Sequence, residues 1–408
     1  MEKRVVVTGM GVVSSLGSSW DQFSANIRAG KSGIRYMKAW DRYPELNTRL
    51  GGPIENFEIP SHYTRKKVRS MGRVSLLATR ASEMALEDSG LLGDPILGEG
   101  QVGVSYGSCS GSTDAILEFH NMLISGEMGG ITATTYIRMM GHTAPVNIGV
   151  FFGLKGRVYT TSSACTSGSQ GLGTAYEAIR FGKQKVMLAG GAEELCPSQS
   201  AVFDTLYATS TLNEDPTSSP KPFDRDRDGL VISEGAGTLV LEELEHAKAR
   251  GATIYAEIVG YGTNSDGGHI TQPNPQTMQI AMELALEDAK LDSAAIEYVN
   301  AHGTATDRGD IAESNATESV FGQRIPISTL KGHLGHSLGA CGAIEAWASI
   351  NMMRENSFAP TLNLQSPDER CGDLDYIMGE NRNMQCEYIM SNNFAFGGIN
   401  TSLILKRW

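Results

Sequence analysis

The sequence predicts an α/β fold. Three observations carry this expectation: short apolar, β-branched runs recur along the 408 residues, several end at glycines, and the segments between them space apolar side chains at helical intervals. With 40% hydrophobic and 20% charged residues the chain can bury a large core. Its length predicts two tightly joined units.

Taken in order, residues 4–8 read as a strand, Gly9-Met10-Gly11-Val12-Val13-Ser14 as the turn after it, and 20–29 as a helix. Residues 75–88 place Leu76, Leu77, Ala81, Met84 and Ala85 at helical spacing, and 102–106 reads as a strand. A strand over 155–162, a helix over 167–181 stopped by Gly182, and a strand over 185–189 ending in Gly190-Gly191 follow. Residues 213–228, whose Pro-Lys-Pro-Phe segment opposes helix, read as a surface loop. After residue 250, strands over 256–261 and 296–300 flank a helix over 277–289. A helix over 342–353 and strands over 387–391 and 401–405 complete the chain. The alternation predicts mainly parallel pairing, and both halves run strand, glycine turn, helix, as a duplicated fold would.

Composition excludes several classes. No stretch approaches the roughly 18 apolar residues of a membrane span. The run Val5-Val6-Val7 breaks at Thr8-Gly9 with no cleavage site behind it, which opposes a signal peptide and makes the cytoplasm the expected location. A net charge of −12 argues against nucleic acid as a partner. Six cysteines without a C-x-x-C pair support neither a disulfide framework nor structural zinc. The glycine turn at 9–14 lacks the third glycine of a dinucleotide fingerprint, so no nucleotide cofactor is expected. Against the acidic background stand Arg65, Lys66, Lys67, Arg69 and Arg73; residues 65, 69 and 73 would share one helical face. That face is either solvated or a dock for an acidic partner.

Candidate chemistry gathers in three glycine-rich segments. Thr160-Thr161-Ser162-Ser163-Ala164-Cys165-Thr166-Ser167-Gly168 sets Cys165 where a strand turns into a helix. The positive end of that helix is expected to lower the thiol pKa. Cys196, Cys341 and Cys386 read instead as small buried apolar residues. Asn300-Ala301-His302-Gly303-Thr304-Ala305-Thr306-Asp307 follows an apolar strand, and Lys331-Gly332-His333-Leu334-Gly335-His336 runs into a helix carrying Glu345. A histidine at a strand end followed by glycine suits a group projecting into a cleft. His333 and His336 as a metal pair lack a carboxylate or cysteine at ligand spacing, so no metal is expected. The segment 391–400, with Gly397-Gly398, is either a plain hairpin turn or a source of backbone N–H groups for an oxyanion.

Together the Cys165, His302, Lys331, His336 and Glu345 segments resemble the elongating β-ketoacyl-acyl-carrier-protein synthases of bacterial fatty acid synthesis. The likeness extends from the opening Val-Thr-Gly-Met-Gly through Phe223-Asp224-Arg225-Asp226-Arg227-Asp228-Gly229 to Phe394-Ala395-Phe396-Gly397-Gly398. The resemblance implies a thiolase fold: duplicated halves in five layers (αβαβα) with mixed sheets, residues 1–255 carrying the nucleophile and 256–408 the histidines. It implies that Cys165 accepts an acyl chain and that His302 and His336 assist decarboxylation of malonyl carrier protein. Lys331 and Glu345 would organise them, and the N–H groups of Cys165 and Phe396 would form an oxyanion hole. Thr304, Thr306, Phe396 and Ser110 match substrate-binding positions, and Arg65, Lys66 and Arg69 match positions that meet an acyl carrier protein. A homodimer is implied, or a heterodimer with a ketosynthase-like partner, and no cofactor beyond the phosphopantetheine that the carrier brings.

The sequence departs from the family pattern at Ile399 and Leu330, where threonine is usual, and at Asp307, where proline is usual. Ser110 stands where a residue limits the acyl pocket. These departures keep open a ketosynthase of polyketide or polyene synthesis. A non-catalytic chain-length partner would typically lack Cys165, a degradative thiolase would carry a second catalytic cysteine, and a priming synthase would have asparagine in place of His336.

Overall fold

The computed structural model describes residues 2–322 and 324–408. Eleven strands form the main sheet: β1 (Val5–Ser14), β2 (Val102–Gly107), β3 (Val158–Thr160), β4 (Val186–Glu193), β5 (Gly235–Glu243), β6 (Ala256–Ser265), β7 (Tyr298–Asn300), β8 (Pro326–Ser328), β9 (Asp375–Tyr376), β10 (Tyr388–Ala395) and β11 (Ile399–Arg407). Their spatial order is β9-β8-β7-β10-β11-β6-β1-β5-β4-β2-β3. The expectation of mainly parallel pairing is corrected, because five neighbouring pairs are parallel and five antiparallel. The antiparallel ones gather at the centre, where a hairpin joins β10 to β11 and a short helix, α5 (Pro197–Asp204), followed by a long loop brings β5 back antiparallel beside β4.

The two central strands β1 and β6 meet through three residues only, Val5–Val7 against 256–258. Away from that seam the strands diverge and enclose two helices, α4 (Ser167–Arg180) and α8 (Cys341–Glu355). α4 touches β2, β4 and β5 on one side and β11 on the other; α8 touches β4 and β5 on one side and β10 and β11 on the other. The outer faces are covered by α2 (Arg73–Asp88) with α3 (Thr143–Phe152), and by α6 (Pro275–Ala289) with α7 (Asp307–Phe321) packed on it. Five layers result, helix–sheet–helix–sheet–helix. α8 is buried from Cys341 to Met353, as a helix between two sheets must be, and its sequence is accordingly apolar nearly all round.

The turn expected at residues 9–14 is absent, and β1 runs straight through it. Its glycines serve close packing: a Cβ on Gly9 would collide with the Ala85 carbonyl of α2, and one on Gly11 with that of Ala81. The basic segment is corrected too. α1 (Arg65–Val68) is a single turn, and the chain breaks before α2 begins at Arg73, so residues 65, 69 and 73 share no helical face. Arg73 is committed to a bidentate pair with buried Glu234, at 2.6 and 2.7 Å.

Candidate active site

Cys165 sits between β3 and α4 on a sharp bend, with Ala164 in the left-handed region at φ +52°. Small hydroxyls pin this bend. Ser167 Oγ accepts the Ser163 N–H at 2.9 Å and donates to the Ala164 carbonyl at 2.6 Å, while Thr161 Oγ1 donates to the Ser167 carbonyl at 2.9 Å. The thiol is buried, and burial pushes its pKa up to about 11. The nearby Lys331 ammonium and the backbone N–H groups of Phe396 and Cys165 oppose that rise without cancelling it. Burial therefore works against the softening expected from the helix end.

Two rings face the sulfur. His336 Nε2 lies 3.0 Å from Cys165 Sγ, and the His302 and His336 rings stand 5.0 Å apart, nearly perpendicular. Burial lowers both imidazole pKa values well below the usual range, and Lys331 lowers them further, so both rings are neutral at pH 7. Their tautomers follow from the hydrogen bonds. The Leu338 N–H donates to His336 Nδ1 at 3.3 Å, and the Asn393 amide donates to His302 Nδ1 at 3.4 Å. Each Nδ1 is therefore an acceptor, and each Nε2 carries the proton.

The Cys165, His302 and His336 donor atoms also lie within 4.8 Å of one another, dimensions a soft divalent ion could bridge. A metal would need the Nε2 lone pairs, which these tautomers do not offer; the set fits hydrogen-bond donation better. His333 lies outside this group, with its Nδ1 on the Lys31 carbonyl at 3.0 Å.

The support beneath the rings is ionic. Lys331 Nζ pairs with Glu345 on α8, both almost wholly buried. Burial alone would discharge the lysine, but the Glu345 carboxylate holds its pKa above the ordinary value. Glu345 also accepts the Asn393 amide at 2.8 Å, so one asparagine links the ion pair to His302. The loop 302–305 hangs from two carboxylates on α7. Glu313 accepts the N–H groups of His302 and Gly303 at 2.6 and 2.7 Å, and Asp310 accepts those of Thr304 and Ala305 at 3.0 and 3.1 Å. Burial raises Glu313 to about 8 and Asp310 to about 6 despite these bonds. Glu193, at the end of β4, accepts the N–H groups of Cys109 and Gly339 at 2.7 and 3.2 Å. Sequence reasoning missed Asp310, Glu313, Glu193 and Asn393. The available signal was an acid pair at i, i+3 directly after the His-Gly-Thr loop.

A cavity of about 490 Å³ ends on Cys165, His302 and His336 and is walled in part by Thr304, Thr306 and Phe396. The two threonine hydroxyls are 3.0 Å apart. Phe396 lies in the hairpin turn closed by Gly397 and Gly398, both at positive φ, so that turn both reverses the chain and aims an N–H at the sulfur. Ser110 does not line the cavity; its hydroxyl bonds the Gly111 carbonyl at 3.1 Å. Arg65, Lys66 and Arg69 are exposed and also lie outside it, on a turn anchored to α3 by Lys67 over the Phe151 ring.

The beta-ketoacyl synthase N-terminal domain matches residues 2–247, and the C-terminal domain of the same family matches residues 255–365. The 3-oxoacyl-[acyl-carrier-protein] synthase 2 of Vibrio cholerae is 37% identical over 414 residues, covering 100% of this chain and 99% of that protein. A beta-ketoacyl synthase from Burkholderia phymatum STM815 superposes with a TM-score of 0.99 at 61% identity, covering 100% of both chains. AntDE:AntF, a type II polyketide acyl-carrier protein in complex with its ketosynthase, contributes a chain that superposes at a TM-score of 0.88 with 32% identity, again over 100% of both. With two matched domains covering most of its length and a full-length relative above a third identical, the chain belongs to the beta-ketoacyl synthase family.

Proposed function

We propose that the protein is a β-ketoacyl-acyl-carrier-protein synthase of fatty acid elongation. The observation that carries this reading is the pair of neutral Nε2–H imidazoles set around one buried thiol at the end of a cavity. In the first half-reaction the Cys165 sulfur bonds to the acyl carbonyl carbon of an acyl-carrier thioester. The carrier's sulfur leaves and takes the thiol proton. In the second, malonyl carrier protein loses CO₂ as its carbon–carboxylate bond breaks. The released electron pair forms the new carbon–carbon bond to the acyl-cysteine, and the Cys165 sulfur departs and regains a proton. Splitting the reaction this way gives ping-pong kinetics.

The residue types suit the charges. Decarboxylation leaves negative charge on the malonyl thioester oxygen, and the Nε2–H groups of His302 and His336 are the donors offered to it. Lys331 and Glu345 keep those rings neutral and oriented. The N–H groups of Cys165 and Phe396 serve the acyl-cysteine oxyanion. Thr304 and Thr306 hold the phosphopantetheine arm, which arrives on the carrier, so no other cofactor is required. Residues 1–255 supply the nucleophile and 256–408 the histidines. Arg65, Lys66 and Arg69, which form no ion pair among the described residues, meet the acidic carrier.

We also assign the protein to the cytoplasm, paired with a second chain of its own kind. The solvent-facing Leu117, Leu123 and Ile124 and the edge strand β3 would be covered by that chain. Ser110 borders the acyl pocket only if that second chain completes it. The likeness to a polyketide ketosynthase favours, as second reading, the same chemistry on a polyketide chain.

The test is to supply acyl and malonyl carrier proteins and read products by mass. A product longer by two carbons and bearing a 3-keto group is expected from short saturated acyl donors. Acceptance of polyketide or polyene donors alone would move the protein to the second reading, and no condensation with any donor would overturn both.

A further inference from the structure

The two rings at the thiol hold their protons by different means. His336 Nδ1 faces the Leu338 N–H, a main-chain donor that no change of side chain removes. His302 Nδ1 faces a side chain, the Asn393 amide on β10. An amide can present either its nitrogen or its oxygen. Whatever orients Asn393 therefore also decides which nitrogen of His302 carries the proton.

Asn393 is buried, and its Nδ2 lies 2.8 Å from Glu345 Oε2, 3.4 Å from His302 Nδ1 and 3.6 Å from Cys341 Sγ. Reversing the amide would set Oδ1 against the Glu345 carboxylate, oxygen on oxygen with no proton between. The carboxylate thus holds the nitrogen toward itself and toward the ring. One N–H goes to Glu345 and the other is left for His302, because a thiol sulfur is a weak acceptor. The 3.4 Å separation is long, as bonds in a resting site often are before substrate tightens them.

This orientation costs stability. Asn393 Oδ1 is buried with no hydrogen-bond partner among the described residues, a loss of about 1–3 kcal/mol. Packing alone would favour an apolar side chain here. Room for the oxygen is left by Gly342 on α8, where a Cβ would stand 2.6 Å from Oδ1. The strand beneath is tied as well, the Asn393 carbonyl accepting the Thr401 hydroxyl at 3.1 Å.

We propose that Asn393 is a positioning residue for the decarboxylation step: oriented by Glu345, it bars the proton from His302 Nδ1 and so keeps Nε2–H available to the malonyl thioester oxygen. This deepens the reading above and rests on it for the step that is served. Glu345 then has two tasks, pairing with Lys331 through Oε1 and orienting the amide through Oε2. The two rings are set independently, one by the main chain and one by this relay.

Histidine ¹⁵N spectra, assigned with the help of His302→Gln, read the tautomers directly. In the unsubstituted protein His302 should show a bare Nδ1 and a protonated Nε2; a proton on Nδ1 would overturn the proposal whether or not any variant folds. Asn393→Leu matches the amide in size and lacks its donor. There the signature should be lost at His302 and kept at His336. Release of CO₂ from malonyl carrier protein should fall about a hundredfold, and acylation of Cys165 by hexanoyl carrier protein far less. An unshifted His302 signature, or an equal fall in both half-reactions, would sink the relay. Were the unsubstituted protein to release no CO₂ at all, the reading of the reaction would fall instead, and the spectra would still decide what holds the His302 proton.

Discussion

The two halves of the site are held by different means. Around Cys165 the bend is fixed by backbone groups and neutral hydroxyls, from Thr161, Ser163 and Ser167. Around His302 and His336 the supports are buried ionisable side chains: Asp310 and Glu313 under the loop, and the ion pair of Glu345 with Lys331. The difference follows from what each side must do. A nucleophile that cycles between thiol, thioester and leaving thiolate is best oriented by groups without charge. Imidazoles that must stay neutral through the cycle are kept so by burial, reinforced by a fixed positive charge beside them, and that charge needs a buried counter-ion.

Five substitutions or measurements would break or sharpen this contrast. Cys165→Ala should abolish acyl-enzyme formation, read by intact mass; retained acylation would put the nucleophile on another sulfur. Lys331→Met leaves the buried Glu345 unpaired and should cost roughly 3–5 kcal/mol of stability in urea titration. Replacing the neutral Ser167 by Ala should cost only about 1 kcal/mol in the same assay, and equal costs would dissolve the distinction between the two halves. His302→Ala should slow decarboxylation of malonyl carrier protein about 10²–10³-fold while Cys165 is still acylated; parallel loss of both steps would assign the ring to the thiol instead. The smallest effect concerns pH. A thiol pushed up to about 11 exposes more thiolate with each step toward that value. Alkylation of Cys165 by iodoacetamide should therefore rise about tenfold per pH unit between 7 and 9, and a plateau in that range would indicate a softened thiol after all.

The same contrast governs how much could be read from the chain. Cys165 announced itself by a strand, small residues and a helical apolar face in sequence, His302 by a glycine-rich turn after a strand, and His336 by one running into a helix; these are local patterns. Asp310 and Glu313 did not, because carboxylates on a helix read as a solvated face until the fold folds that face under a loop. The strand β5 was missed altogether, and the direction of β11 was equally hidden, since pairing depends on the path of the connection rather than on the strand. Gly9 and Gly11 read as a turn because a glycine that admits a neighbouring helix looks the same as one that reverses the chain. The burial of the thiol was hidden for a related reason: the helix end was visible in sequence and the depth of the cavity was not.

α8 touches water with almost none of its first three turns, because strands grip it from above and below. Slackening either grip would bare tryptophan, isoleucine and methionine side chains along with a lysine–glutamate pair. The two halves should therefore melt together rather than in succession. A cell in which this protein is partly denatured would then hold intact catalysts and inert chains, with no leaky intermediate that still reacts at the sulfur but no longer condenses.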